Sequence, residues 1–396
     1  MTNRALVLAA LADGESVVRR PLRSRDTLLM AAGLRALGVD VADAGPDWRI
    51  VPGQLRGPAT VDVGNAGTVM RFLLPVAALA NGTVRFDGDV RARQRPLAPL
   101  IGALRAVGAN IDDGGRGGLP LIVHGAGRLG GGGVTLDAST SSQLISALLL
   151  AAPRFDHGVV VRHNGPPVPS QPHLRMTVSM LRDASVHVDD SPPDEWRVAQ
   201  GRIGARQWSI EPDLSNAAPF LAAALVTGGR VAVADWPRTT EQPSDTLQRL
   251  LGDLGATVEL DDAGLTVRGT TPVRGMHADL HEVGELVPVL AAVAALADTP
   301  SSLTGVAHLR LHESDRLAAL AKELTALGGD VTDTADGLEI RPAPLHAGVF
   351  DTYDDHRLAM AAAVLGLVVP GVLVRDVETT AKTLPDFVDR WSAMLR

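Results

Sequence analysis

GNAGTVMRFLLPVAALANG, residues 64–82, opens on small polar residues, becomes an Ala/Leu-rich run and stops at Asn81-Gly82. The change from polar to apolar predicts a helix. Asn65 or Thr68 can cap it, because a side-chain oxygen there satisfies a free backbone N–H. Gly64 and Gly67 let the backbone approach a ligand closely. The free N–H groups and the positive end of the helix dipole then face an anion, with Arg71 one turn in. Taken alone, the stretch reads as an ordinary capped core helix.

The pattern recurs. A polar cap, an Ala/Leu helix and a Gly/Asn/Asp stop, often followed by a Val-rich strand, appear again after residues 2–4, 141–143, 214–216, 284–285 and 354–357. These starts lie about 70 residues apart, longer than the usual solenoid period. A second amphipathic helix runs in step, ending near residues 38, 108, 184, 255 and 328. Six copies of a two-helix, several-strand unit follow. In 396 residues they predict two domains, residues 1–211 and 212–396, with the crossing near Trp208–Asp213. Repeat one differs: Met1 sits at its cap, so by internal comparison the chain is short of one strand and one loop there.

Composition narrows the function. Apolar residues make up 45% of the chain, which excludes disorder. Five tryptophans, one tyrosine and six phenylalanines are too few for a base-stacking platform. A net charge of −8 disfavours general binding to a phosphate backbone. Any anion site must therefore be a local cluster of Arg and Lys. There is no cysteine, so disulfides, thiolate metal ligands and thiol nucleophiles are excluded. No Walker loop, HExxH or GxSxG motif is present, and no metal or cofactor is expected. The apolar opening imitates a signal peptide, but LAALAD (8–13) returns as VAALAN (76–81) and VAALAD (293–298), so it is repeat helix. A cytoplasmic protein with no membrane or nucleic-acid partner is the expectation.

Several clusters carry candidate chemistry. Arg91, Arg93 and Arg95 alternate before Pro96, which reads either as a solvated basic edge or as an anion clamp on one face. The hydroxyl run at residues 139–142, ending at Gln143, suits a phosphate but also suits a plain cap. Glu285 heads an apolar helix, where the dipole is reason enough for an acid and a general base is the sharper reading. Residues 310–316 gather five ionisable groups at a helix start, as surface decoration or as a catalytic cluster. His356 and Arg357 precede another apolar run, which favours a polar role at that cap.

Taken together, GNAGTVMR (64–71), RARQRP (91–96), SSQ (141–143), SQPH (170–173), GEL (284–286), HESDR (312–316), DDHR (354–357) and KTLPD (382–386) resemble the EPSP synthase family of enolpyruvyl transferases, in the family's order and over nearly the whole chain. The resemblance implies an α/β fold of two similar domains. Each would hold three βαβαββ repeats, an inside-out α/β barrel, with helix starts facing an active site in the interdomain cleft. It implies transfer of an enolpyruvyl group from phosphoenolpyruvate to the 5-hydroxyl of shikimate 3-phosphate, by a monomer without cofactor.

Carried over residue by residue, Arg95, Arg316, Arg357 and Lys382 hold phosphoenolpyruvate, with Asn65, Gly67, Thr68 and Gln143 shaping its place. Ser141, Ser142 and Ser170 take the shikimate phosphate, Gln143 meets the ring and Arg4 its carboxylate. Glu285 accepts the hydroxyl proton; Glu313 and Lys382 are the candidates for proton delivery, supported by His356.

The chain departs from the family at several places. The family's Lys-Ser pair before Asn3-Arg4 is missing, for which an upstream start is the favoured explanation. His173, Glu285 and His312 stand where many members have Tyr, Asp and Lys. The last exchange makes local charge pH-dependent. The rivals are a non-catalytic or impaired ligand-binding paralogue and a carboxyvinyl transferase for another acceptor. The related UDP-N-acetylglucosamine enzyme is disfavoured because its active loop typically uses a cysteine.

Overall fold

Residues 64–82 fold into the second of six repeats. The structure is a computed structural model describing residues 1–396. Strand Ala59–Asp62 leads into a helix at Gly67–Ala78, strand Asn81–Asp87, a helix at Ala98–Ala106 and the hairpin strands Asn110–Asp112 and Leu121–Ala126. The first two strands pair in parallel, the second pairs antiparallel with the fourth, and the third closes the other edge. The same order holds for the strands Gly132–Leu136, Val159–His163, Val188–Asp189 and Glu195–Val198, and for His277–Asp279, Ser301–Thr304, Asp330–Asp333 and Leu338–Arg341.

The helices are α1 (Thr2–Ala10), α2 (Arg25–Ala36), α3 (Gly67–Ala78), α4 (Ala98–Ala106), α5 (Gln143–Ala151), α6 (Gln171–Asp183), α7 (Leu214–Thr227), α8 (Ser244–Asp253), α9 (Val287–Ala295), α10 (Arg316–Ala326), α11 (His356–Gly366) and α12 (Phe387–Met394). The odd-numbered helices from α1 to α11 are the repeated Ala/Leu segments. They are buried almost all round, as their lack of a polar face requires. Phe72, Leu73, Leu74 and Val76 of α3 are fully enclosed. Each contributes about 1.5–3 kcal/mol, so packing rather than capping holds this helix.

The chain divides into two compact units, Met1–Ile210 and Glu211–Arg396. Each has its own apolar core, one built around α1, α3 and α5 and the other around α7, α9 and α11.

The strand that repeat one lacks is not missing from its sheet. Gln207–Ser209, which precedes α7 in sequence, pairs in parallel with Ser16–Arg19 and completes four strands there. The shortage falls instead on repeat four, whose sheet of Arg230–Ala234, Gly264–Arg268 and Thr257–Asp261 has three strands. Repeat six keeps only a parallel pair, Gly348–Phe350 with Val372–Val374, and ends in a 3-10 turn and α12.

Two local expectations are corrected. Neither Asn65 nor Thr68 caps α3: Ala66 is its N-cap, Asn65 accepts from Arg95, and Thr68 accepts from Asn3 Nδ2 at 2.7 Å. Among the repeated helices only α7 and α11 have side-chain caps, from Asp213 and Asp355. Elsewhere polar residues at these starts reach across instead: Asn3 of α1 to Thr68, and Gln143 of α5 to Arg71.

Candidate active site

In the first unit, α1 packs against α3, α5 and α6, which brings their starts together. Arg4 lies among them, only 6% exposed. Its Nε donates to Thr177 Oγ1 at 2.7 Å and its Nη2 to the His173 carbonyl at 3.1 Å, and its guanidinium lies 5.3 Å from the Phe72 ring centre. Thr177 in turn reaches Ser146 Oγ, tying α6 to α5. No carboxylate neutralises Arg4, and burial presses its pKa down to about 10. A buried cation held only by neutral oxygens is prepared for an anion that comes from outside.

The RARQRP segment does not put three arginines on one face. Residues Ala92–Gln94 form a 3-10 turn, which separates them. Arg93 forks outward onto Asp87, Arg91 bonds Gln94, and Arg95 turns inward, where its Nη1 donates to the Asn65 carbonyl at 2.7 Å and to Asn65 Oδ1 at 3.2 Å. Arg71, expected to face an anion, donates to Gln143 Oε1 at 2.9 Å and to the Pro96 carbonyl at 3.1 Å. These side chains meet over Gly67. A Cβ there would lie 2.7 Å from Arg95 Nη2, 2.8 Å from Arg71 Nη1 and 2.9 Å from Gln143 Oε1. Ser142 is the N-cap residue of α5, Ser141 Oγ accepts from the Gln143 N–H, and Ser170 holds a left-handed backbone (φ +54°) at the start of α6.

In the second unit the hub is Asp355, wholly buried at the start of α11. Its carboxylate accepts from Arg316 Nε (2.8 Å) and Nη2 (3.1 Å), Ser314 Oγ (3.0 Å) and the Arg357 N–H (3.0 Å). Arg316 also donates to Glu313 at 2.9 Å and lies 3.2 Å from His312 Nδ1. Burial alone would lower the Arg316 pKa, but Asp355 and Glu313 outweigh it and hold the group above its ordinary value. Glu313 bridges to Lys382, Oε1 to Nζ at 3.3 Å.

Arg357 contrasts with this saturated network. Its Nη1 and Nη2 donate to the carbonyl and hydroxyl of Ser215, each at 2.6 Å, with no carboxylate bonded, and burial lowers its pKa. Asn216 of α7 donates to the Thr383 carbonyl, next to Lys382. His356 is buried, and burial together with the charges of Arg357 and Lys382 keeps it neutral. It is therefore present as an imidazole, not as a cation.

Glu285 sits on the 3-10 turn Gly284–Leu286 that opens α9. His308 Nε2 lies against this turn, where a Cβ on Gly284 would come within 2.7 Å of it. The ring is flanked by His281 and His312, with centroids at 5.9 and 5.5 Å. Burial first, then His281 and Arg316, push the His308 pKa down to about 4 against the opposing pull of Glu285.

The linkage sign follows from that direction. A histidine whose folded pKa lies below its unfolded value stabilises the fold fully above about pH 6.5 and loses that contribution as pH falls toward 4, by up to about 1.4 kcal/mol per pH unit. His356 acts in the same direction. The melting temperature should fall through this window, and His308→Gln should flatten the slope. Parallel slopes for the two proteins would contradict it.

Three residues make contacts that the sequence did not assign to them: Asp355 as the charge hub, Ser215 as the holder of Arg357, and His308 behind Glu285. Asp355 lies inside DDHR, so its motif was visible but its role was not. Ser215 stands more than a hundred residues from its partner.

An EPSP synthase (3-phosphoshikimate 1-carboxyvinyltransferase) family model matches residues 1–391. The chain belongs to the EPSP synthase family. It is 53% identical to the 3-phosphoshikimate 1-carboxyvinyltransferase of Kocuria rhizophila, over all of this chain and 91% of that protein. An EPSP synthase structure from Acinetobacter baumannii aligns with a TM-score of 0.81 at 26% identity, over 99% of this chain and 93% of that one. The enolpyruvyl transferase NikO from Streptomyces tendae, at 18% identity and TM-score 0.76 over 99% and 92%, shares the fold. The six repeats in two units are thus the family's architecture.

Proposed function

We propose that the chain transfers the enolpyruvyl group of phosphoenolpyruvate to the 5-hydroxyl of shikimate 3-phosphate, releasing phosphate. Two buried guanidiniums support this most directly: Arg4 in the first unit and Arg357 in the second, each bonded only to neutral oxygens. Both substrates are polyanions, and binding them relieves a charge that folding left unpaired. Arg4 takes the shikimate carboxylate, and Ser141, Ser142 and Ser170 its phosphate, with Gln143 on the ring. Arg95, Arg357 and Lys382 are assigned to phosphoenolpyruvate, as are Asn65, Gly67 and Thr68. Arg316 adds its charge and the one Nη1 hydrogen that its protein partners leave over.

The steps balance as follows. Glu285 takes the proton of the 5-hydroxyl as that oxygen attacks C2 of phosphoenolpyruvate. Glu313 or Lys382 delivers a proton to the methylene carbon, C3. The tetrahedral adduct then loses one C3 proton and phosphate, which restores the enol ether. No metal or cofactor enters. The protein works as a cytoplasmic monomer; no helix is long and apolar enough to cross a membrane.

Phosphate release by the purified chain should require both substrates together. Calorimetric binding of both with no phosphate released would instead mark a ligand-binding paralogue. Release with phosphoenolpyruvate and a different hydroxyl acceptor would mark another transferase.

Gly67 offers a finer check. The three atoms crowding an added Cβ are ends of flexible side chains, so Gly67→Ala should fold with little change in melting temperature. Displacing Arg95 and Gln143 should raise the KM for phosphoenolpyruvate about tenfold, a loss of about 1.4 kcal/mol. An unchanged KM would remove Gly67 from the site.

A further inference from the structure

We infer that Glu323 is a positioning residue for phosphoenolpyruvate, acting through Arg357 and Arg316 from the far end of α10. This rests on the assignment of those two arginines made above. Glu323 stands seven residues after Arg316, two helical turns along the same face of α10. It is only 4% exposed. Its Oε2 accepts the Asp351 N–H at 3.0 Å and its Oε1 accepts the Tyr353 hydroxyl. Lys322 Nζ donates to the same Tyr353 oxygen at 2.7 Å and lies 3.8 Å from Glu323 Oε1; Arg375 holds the Asp351 carboxylate from the other side.

The segment so gripped leads straight into the charge hub. Tyr353 and Asp354 both hold left-handed backbones, φ +54° each, with no glycine to ease them. The Asp355 N–H then closes onto the Thr352 carbonyl at 2.8 Å, and Asp355 starts α11. Helix α10 therefore holds this loop twice: Arg316 grips Asp355 at one end, and Glu323 grips Asp351 and Tyr353 at the other. Two successive left-handed residues persist only where the surroundings over-determine them. Without Glu323 the turn can relax, and Asp355 moves with it. That displaces both arginines bonded to Asp355: Arg316 through its side chain and Arg357 through its backbone N–H. Arg4 and the other shikimate-phosphate groups assigned to the first unit share no bond with this loop.

The test compares Glu323→Ala, Tyr353→Phe and Glu323→Gln with Arg357→Lys, assayed well below each variant's melting temperature. Glu323→Ala should raise the KM for phosphoenolpyruvate about tenfold and leave the KM for shikimate 3-phosphate within about twofold. Tyr353→Phe, which keeps the ring and removes one donor, should move the same KM less. Glu323→Gln, which still offers an oxygen to the Asp351 N–H, should regain most of the loss. A merely structural role would lower activity without separating the two substrates, so equal changes in both KM values, or none, overturn the inference. If Arg357→Lys leaves the phosphoenolpyruvate KM unchanged, the arginine assignment fails and this inference falls with it. If Arg357→Lys raises that KM and Glu323→Ala does not, only the positioning role is lost.

Discussion

Asp355→Ala should melt about 15 °C below the parent protein and show no measurable turnover. The carboxylate removed is wholly buried and accepts four hydrogen bonds, two of them from a guanidinium that is itself almost fully buried. Truncating one partner of such a pair leaves the other charge without compensation, at a cost of about 3–5 kcal/mol. Losing the cap of α11 adds about 1 kcal/mol more. At about 2–4 °C per kcal/mol for a unit of this size, a drop near 15 °C follows. Asp355→Asn keeps an oxygen for the Arg357 N–H and for Ser314, so it should fall between the two. The double variant Asp355→Ala, Arg316→Met removes both charges and should recover much of the stability, because the orphaned cation is gone. It should recover no activity, because an arginine assigned to phosphoenolpyruvate is gone as well. Asp355→Ala melting with the parent would mean that Arg316 has another counter-charge.

The contrast between Asp355 and Arg357 shows what could be read before the fold and what could not. The repeat was legible because its signal is local: a polar start, an apolar helix and a stop recur in step, and LAALAD returns nearly letter for letter. Strand exchange has no local mark. Nothing in QWS at 207–209 says that it pairs with Ser16–Arg19 and not with the strand after its own helix. Capping failed for a similar reason. Asn65 is a good cap residue in isolation, but Arg95, thirty residues on, competes for its oxygens and wins. Spacing also misled at Arg93 and Arg95, since a 3-10 turn between them sends one side chain out to Asp87 and the other in.

The chemistry of the two units differs in a way that follows from these contacts. The first unit leaves Arg4 beside hydroxyls and carbonyls, with no acid near enough to pair. The second saturates Arg316 with two carboxylates and leaves Arg357 on Ser215. Arg316 therefore carries a compensated charge and Arg357 an uncompensated one. Two residues of the same type, both nearly buried, thus differ in local charge through their partners.

Glu285→Gln should lower kcat by about 10²–10⁴, equivalent to about 3–5 kcal/mol of transition-state stabilisation, and leave both KM values within a few-fold. The substitution keeps the shape and one acceptor oxygen but cannot take a proton. Glu285 lies on the turn that opens α9, and its charge is felt by Arg316, Arg357 and the neutral ring of His308. Both cations attract its negative charge, and the neutral His308 beside it adds no charge of its own. A loss confined to kcat is the mark of an interaction made only in the transition state. The control is His308→Asn, which keeps a polar group behind the turn and should cost far less than Glu285→Gln. If Glu285→Gln instead raises the KM for shikimate 3-phosphate and spares kcat, Glu285 is a binding group, and the base must be sought among Glu313, Lys382 and His312.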